Sequence, residues 1–377
     1  MHEDHERALK ALAARGRLRA LAPRRGIDFS SNDYLGLGAS RELAEAISEA
    51  LARGVPVGAG GSRLLRGNDP EHEALEEEAA RFFGAETALY MGGGFAANTA
   101  IFATLPQRGD LIVHDALIHA SAHDGMRMSK ADHVAAAHND PDAFRDAIGQ
   151  WRATGGTGRV WIAIESLYSM EGDTAPIAAF DQLARDSDAI LIIDEAHATG
   201  VFGPEGRGLA AGLEGSLHVV SLHTCGKALG VMGALVLAPR TLRDFLVNRA
   251  RPFIYATGPS PLMAAGVRAT LRLSASSPQR REALMDRIEA FGRALQDNCG
   301  IDASGSQIQP VIVKSDTRAV AIAEALQAQG YDVRAVRPPT VPEGTARLRV
   351  SLTLNASAED TLLFVDALAH ELRRTAP

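Results

Sequence analysis

Ile190-Leu191-Ile192-Ile193-Asp194-Glu195-Ala196-His197-Ala198-Thr199-Gly200 is an apolar run that ends in an acid and then breaks into a turn. A run apolar on both faces suits a strand buried inside a mostly parallel sheet. Ligands of open α/β sheets bind beyond the carboxyl ends of such strands. Asp194 therefore stands where a cofactor would be. Read in isolation, the same carboxylate could be an N-cap or a surface group, and His197 a plain loop histidine.

Working outward, similar short runs occur at Thr87–Met91, Asp110–His114, Val160–Glu165, His218–Ser221 and Ala234–Leu237, with helical stretches between several of them. That alternation predicts an α/β domain. Residues 41–53 read as a helix after Ser40. Asp69-Pro70 supplies an N-cap carboxylate and a proline at the first helical position, predicting a helix to Phe83 that Gly84 ends. After Pro261 the pattern changes. Helices are predicted near 261–274, 278–297, 317–329 and 358–373, and strands near 308–313, 331–336 and 346–352, which together read as a small α+β domain. The expected division is an N-terminal amphipathic helix and connector over 1–40, a large domain over 41–260 and a small one over 261–377. No internal repeat or low-complexity linker interrupts it.

The chain of 377 residues is 46% hydrophobic and 23% charged, as in ordinary globular proteins. It is long enough to bury a large core without staples. The formal net charge is −7. The densest basic cluster, Arg15, Arg17, Arg19, Arg24 and Arg25, reads as a solvated face, so nucleic acid is not an expected partner. Two cysteines, Cys225 and Cys299, make neither a disulfide framework nor a cysteine zinc site. Met1–Glu6 lacks the basic and apolar regions of a signal peptide. No apolar run reaches the roughly 18 residues of a membrane span. A cytoplasmic protein with no membrane association is expected.

Three more segments carry chemistry. In Ser221-Leu222-His223-Thr224-Cys225-Gly226-Lys227-Ala228-Leu229-Gly230 a lysine flanked by glycines follows a strand. An amine that forms an imine needs room and a lowered pKa. A lone Gly-Lys is usually an exposed loop lysine, but Asp194 lies one strand earlier. Cys225 reads as packing. Met91-Gly92-Gly93-Gly94-Phe95-Ala96-Ala97-Asn98-Thr99 is a glycine turn entering a helix, a weak phosphate-binding signal by itself. It is not a Walker motif, because no Gly-Lys-Ser/Thr follows. In His114-Asp115-Ala116-Leu117-Ile118-His119-Ala120-Ser121-Ala122-His123, the spacing of His119 and His123 lacks the glutamate of a zinc motif, and no metal is expected. Stacking on a flat cofactor is the better use for His119.

Together these segments resemble the α-oxoamine synthase family of pyridoxal-phosphate enzymes. Ser31-Asn32-Asp33-Tyr34-Leu35-Gly36-Leu37 and Arg337-Pro338-Pro339-Thr340-Val341-Pro342-Glu343-Gly344-Thr345-Ala346-Arg347-Leu348-Arg349 match it too, so the likeness spans roughly 28–370. The Arg-Pro-Pro-Thr-Val-Pro segment resembles the family's biotin-pathway branch. The likeness implies a fold-type-I α/β transferase: a mostly parallel central sheet flanked by helices, with a small C-terminal α+β domain, acting as a homodimer with shared active sites. The cofactor would be pyridoxal 5'-phosphate. The substrates would be L-alanine and pimeloyl-CoA or a pimeloyl carrier protein, joined with loss of carbon dioxide; sister enzymes use glycine or serine with other acyl-CoAs.

The resemblance also implies roles. Lys227 would hold the cofactor as a Schiff base and later move the Cα proton. Asp194 would pair with the ring nitrogen, and His119 would stack on the ring and donate to the thioester oxygen. His197 and Ser169 would lie near the ring oxygen. Gly94, Phe95 and Thr224 would hold the phosphate, with Thr257 reaching the neighbouring subunit's phosphate. Arg349 would take the amino-acid carboxylate, with Asn32 nearby, and Thr340 would contact the acyl substrate. Arg19 and Arg24 are both candidates for meeting the acyl donor.

Overall fold

The computed structural model describes residues 2–376. Among them the chain divides into two compact units, one of residues 35–168 and 174–281, the other of residues up to 34, 169–173 and 282 onward.

In the larger unit seven strands form one sheet: β1 (Thr87–Met91), β2 (Leu111–Asp115), β3 (Asp132–Ala136), β4 (Val160–Glu165), β5 (Ile190–Asp194), β6 (Val219–Thr224) and β7 (Ala234–Ala238). Their order is β1-β7-β6-β5-β4-β2-β3, and only β7 runs antiparallel to its neighbours. The expected α/β sheet is therefore present. One strand was not anticipated. β3 is an edge strand whose residues 132–135 are exposed, so it carries no apolar run to betray it.

Helices cover both faces. They include α1 (Arg41–Ala52), α2 (Pro70–Phe83), α3 (Gly94–Thr104), α4 (Ala120–Met128) and α5 (Pro261–Ser276). Successive strand side chains point to opposite faces. Ile190 and Ile192 of β5, with Val220 and Leu222 of β6, pack against Ala97, Ile101 and Phe102 of α3. Leu191, Ile193 and Val219 pack on the other face with Phe144, Phe180 and Leu183. Each such buried side chain contributes about 1.5–3 kcal/mol. The alternation also aims the next residues of the same parity, Asp194 and Thr224, at the α3 face.

α2 begins as its sequence predicts. Asp69 accepts from Glu71 N at 2.9 Å, His72 Nδ1 accepts from Asp69 N at 3.1 Å, and Gly84 ends the helix at φ 80°. α5, which the sequence pattern grouped with the C-terminal domain, packs on α1 and α2 in the larger unit. Its apolar face, including Val267 and Leu271, shares a core with Leu75 and Phe83 of α2.

In the smaller unit β8 (Ile308–Lys314), β9 (Arg334–Val336) and β10 (Ala346–Ser351) form an antiparallel sheet in the order β9-β10-β8. Ile27–Asp28 pairs in parallel with Tyr331–Asp332. The ring of Phe29 stacks on Phe364 at 4.2 Å, and Tyr331 meets Phe364 edge-on at 5.4 Å. The N-terminal helix Glu3–Ala14 buries none of its residues.

Candidate active site

The larger unit gathers most of the predicted residues beyond the carboxyl ends of β5 and β6. Asp194 is 7% exposed. Its carboxylate accepts from Asn98 Nδ2 at 2.7 Å and from Ala196 N at 2.9 Å. Both donors are neutral, so the acid is held by hydrogen bonds without a cation of its own.

Lys227 stands in a tight loop after β6. Cys225 N donates to Gly233 O, Val231 N to Cys225 O, and Gly230 N to Lys227 O. Its Nζ lies 2.7 Å from His197 Nε2. His197 comes from the turn after β5, and Gly200 lets that turn approach the lysine loop. At Gly200 φ is +83°, and a Cβ there would stand 2.8 Å from the Cβ of Ala228. Any other residue would strain the backbone and push the loops apart. Cys225 is fully buried among Tyr90, Leu229 and Leu235, and burial pushes its thiol pKa up. It is a packing residue, as expected.

The first turn of α3 lies against the end of β6. A Cβ on Gly94 would sit 2.6 Å from Thr224 Cγ2, so only glycine allows this approach. Gly93 at the N-cap offers no side chain to the first-turn N–H groups, which leaves them for an anion. Thr224 Oγ1 donates to Ala196 O at 3.2 Å. Phe95, in the same turn, is exposed.

His119 caps α4 with its ring. Its Nδ1 accepts from Ser121 N at 3.2 Å and lies 2.7 Å from Ser121 Oγ. Burial pushes its pKa down; the Asp194 charge opposes that and Lys227 reinforces it. The ring is therefore neutral at neutral pH. His123 faces His114 edge-on at 5.1 Å. Among the described residues no group of three or more potential ligands could hold a metal ion.

The smaller unit gathers a second set. Arg349 of β10 is 8% exposed. It donates to Ser169 O at 2.6 Å, Ser351 Oγ at 2.6 Å, Asn32 Oδ1 at 3.1 Å and Tyr34 Oη at 3.4 Å. All four are neutral oxygens. Its neighbour Arg347, by contrast, pairs with Glu171 at 3.0 Å. A buried guanidinium without a carboxylate is costly unless an anion completes it. Arg19 and Thr340 meet at 3.1 Å and line one cleft of about 220 Å³ with Arg17 and Arg337. Of the other arginines of that cleft, Arg17 pairs with Asp316 and Glu343 and Arg337 donates to Gly16 O. Arg24 is exposed and does not line it. Thr257 lies exposed in the larger unit, next to Gly258, whose N donates to Gly61 O at 2.8 Å.

Asn98, Ser121 and Tyr34 carry contacts that the sequence reading did not single out. Asn98 is buried on α3, a fact of packing that the sequence alone does not carry.

A lysine amine, a carboxylate held by neutral donors, and a glycine cradle at a helix start suit a phosphorylated aldehyde with a basic ring nitrogen. These residues fit pyridoxal phosphate. Residues 24–368 match the family described as aminotransferase class I and II, and the chain belongs to that family. Curated relatives that match over most of the chain share one name. The 8-amino-7-oxononanoate synthase of Chromobacterium violaceum is 44% identical, over 93% of this chain and 89% of its own length. That of Emericella nidulans is 38% identical, over 94% and 91%. Among solved structures, a Sphingomonas wittichii serine palmitoyltransferase aligns with TM-score 0.89 at 28% identity, covering 99% of this chain and 98% of that one. The 8-amino-7-oxononanoate synthase of Francisella tularensis aligns with TM-score 0.76 at 26% identity, covering 93% and 98%.

Proposed function

We propose that this chain condenses L-alanine with a pimeloyl thioester, releasing carbon dioxide and the thiol carrier, to give 8-amino-7-oxononanoate for biotin synthesis. The observation that carries this reading is the paired arrangement of Lys227–His197 and Asp194–Asn98 beyond adjacent strands, in a chain whose curated relatives over most of its length bear that name. Serine palmitoyltransferase is a likeness of structure and is the alternative within the same chemistry.

Pyridoxal phosphate, when bound, supplies an electron sink for negative charge at the amino acid's Cα. Lys227 would hold it covalently and carry the Cα proton of alanine on and off Nζ. His197, in contact with that amine, would orient it and share its proton. Asp194 would keep the ring nitrogen protonated, while Gly94, Phe95 and Thr224 would bind the phosphate. Ser169 would lie near the ring oxygen. His119, neutral, would stack on the ring and donate to the thioester oxygen as negative charge grows there. Arg349, with Asn32, would take the alanine carboxylate. Arg19 and Thr340 would receive the acyl chain. Thr257 would serve a neighbouring copy's phosphate in a homodimer. The site is expected to work in the cytoplasm; among the described residues no helix is long and apolar enough to cross a membrane.

Product identification by mass spectrometry tests the reaction. Incubation with L-alanine and pimeloyl-CoA should give 8-amino-7-oxononanoate. Product from serine and palmitoyl-CoA, with none from alanine, would replace this reading with the alternative. For Arg349→Ala, the KM for alanine should rise about 10- to 100-fold, the loss expected for hydrogen bonds to a charged group. An unchanged KM would remove Arg349 from the carboxylate site.

A further inference from the structure

The Asn98 side chain stands between two groups of the site. Its Nδ2 donates to Asp194 Oδ2 at 2.7 Å and to Ser121 Oγ at 3.0 Å. An amide nitrogen has two protons to give and no lone pair to accept with, so both contacts run outward from Asn98. Turning the amide over would point its oxygen at the Asp194 carboxylate, which fixes the orientation. The cost is visible: Asn98 Oδ1 is buried with no hydrogen-bond partner. An unpartnered buried acceptor is normally avoided. The fold keeps this one on an apolar helix that packs against Ile192 and Leu222.

Directionality then passes along the chain of contacts. Ser121 Oγ already accepts from Asn98, so its single proton is free for His119 Nδ1 at 2.7 Å. That nitrogen also receives the Ser121 backbone N–H. It is an acceptor twice over, so the neutral ring carries its proton on Nε2. At the other end, Asp194 accepts from Asn98 and from Ala196 N.

We propose that Asn98 is a positioning residue. Through its two N–H bonds it fixes the Asp194 carboxylate in place at one end and, through Ser121, holds His119 as the Nε2-protonated tautomer at the other. This rests on the pyridoxal-phosphate reading above and deepens it. The ring-nitrogen proton and the hydrogen-bond donor to the thioester oxygen are set by one amide. Without Asn98 the carboxylate is no longer held in one place, so its charge acts less fully on the ring nitrogen and the electron sink weakens.

The test compares wild-type, Asn98→Ala, Asn98→Asp, Ser121→Ala and Thr99→Ala holoenzymes. Thr99 is the adjacent helix residue, whose hydroxyl donates only to Phe95 O; its variant controls for damage to the helix. Three readouts are taken: the pH midpoint of the bound cofactor's visible absorbance, nitrogen NMR of isotope-labelled pyridoxal phosphate, and the separate kcat and KM for alanine. In Asn98→Ala, kcat should fall about tenfold to a hundredfold with KM within about twofold. The ring-nitrogen resonance should move toward the unprotonated form. The absorbance midpoint should rise, by about one unit, because a ring with less positive charge makes its attached nitrogen more basic. Ser121→Ala should lower kcat without moving the ring resonance. Asn98→Asp, nearly isosteric, places a second carboxylate against Asp194 and should shift the midpoint even if the alanine variant folds poorly. A ring resonance and midpoint unchanged in both Asn98 variants, or shifted equally in Thr99→Ala, overturns the assignment. A wild-type protein with no visible absorbance and no labelled cofactor bound refutes the pyridoxal-phosphate reading itself, and the role of Asn98 with it.

Discussion

Lys227→Ala should lose the borohydride-trapped cofactor adduct altogether, and its turnover should fall by at least the roughly 10²–10⁴ that a positioned general base contributes. The sequence makes this a clean experiment, since its lysines are only Lys10, Lys130, Lys227 and Lys314. The other three are exposed; Lys227 alone is partly withdrawn from solvent, 2.7 Å from a histidine nitrogen. Imine formation needs an amine that is both uncharged part of the time and held in place. Lys10 lies on an exposed helix, Lys130 in an exposed bend and Lys314 at the exposed end of β8, where little holds a side chain in place. Mass spectrometry of the reduced, digested protein should find the adduct on the Lys227 peptide in the wild type and on no lysine in the variant. An adduct that persists in Lys227→Ala would move the covalent site elsewhere. Added methylamine should restore part of the proton transfer, because the alanine variant leaves a space beside His197.

Asp194→Asn should keep the cofactor and lose most of the turnover. An opposite charge at hydrogen-bonding distance shifts a pKa by about 1–3 units, or about 1.4–4 kcal/mol. The expected fall in kcat is therefore about tenfold to a thousandfold, with KM for alanine little changed, since Arg349, the proposed carboxylate partner, is untouched. The substitution nearly preserves shape. Asn98 Nδ2 meets Oδ2 and Ala196 N meets Oδ1, so the amide oxygen at 194 can keep only one of these contacts, and loss of charge has to be told apart from loosening of the turn. Cofactor binding measured by absorbance alongside kcat separates the two, and near-normal turnover would mean that the carboxylate does not tune the ring.

The sheet was legible because its strands are buried on both faces. Ile190–Ile193 reads as an unbroken apolar run ended by Asp194, and Val219–Leu222 as one interrupted only by Ser221. β3 was illegible for the opposite reason: Asp132, His133 and Val134 face water, and nothing in their pattern distinguishes a strand from a loop. In the site, Lys227 and Asp194 could be singled out from glycine flanks and a strand terminus. Asn98 could not, because its role depends on which helix face meets which strand, and that is settled only by packing. The ambiguity between Arg19 and Arg24 was of the same kind. Both are arginines in a connector; Arg19 meets Thr340 and Arg24 does not line that cleft, a difference of placement that no sequence pattern carries.

β3 has a further consequence, for how the protein behaves while it is being made. It leaves one margin of the large sheet open, and an open margin can template pairing with another molecule. Here the outermost strand begins with an acid and a histidine and carries Val134 as its single bulky hydrocarbon. Such a rim offers little to a passing chain. Clumping during synthesis at high concentration should therefore start elsewhere than at this border.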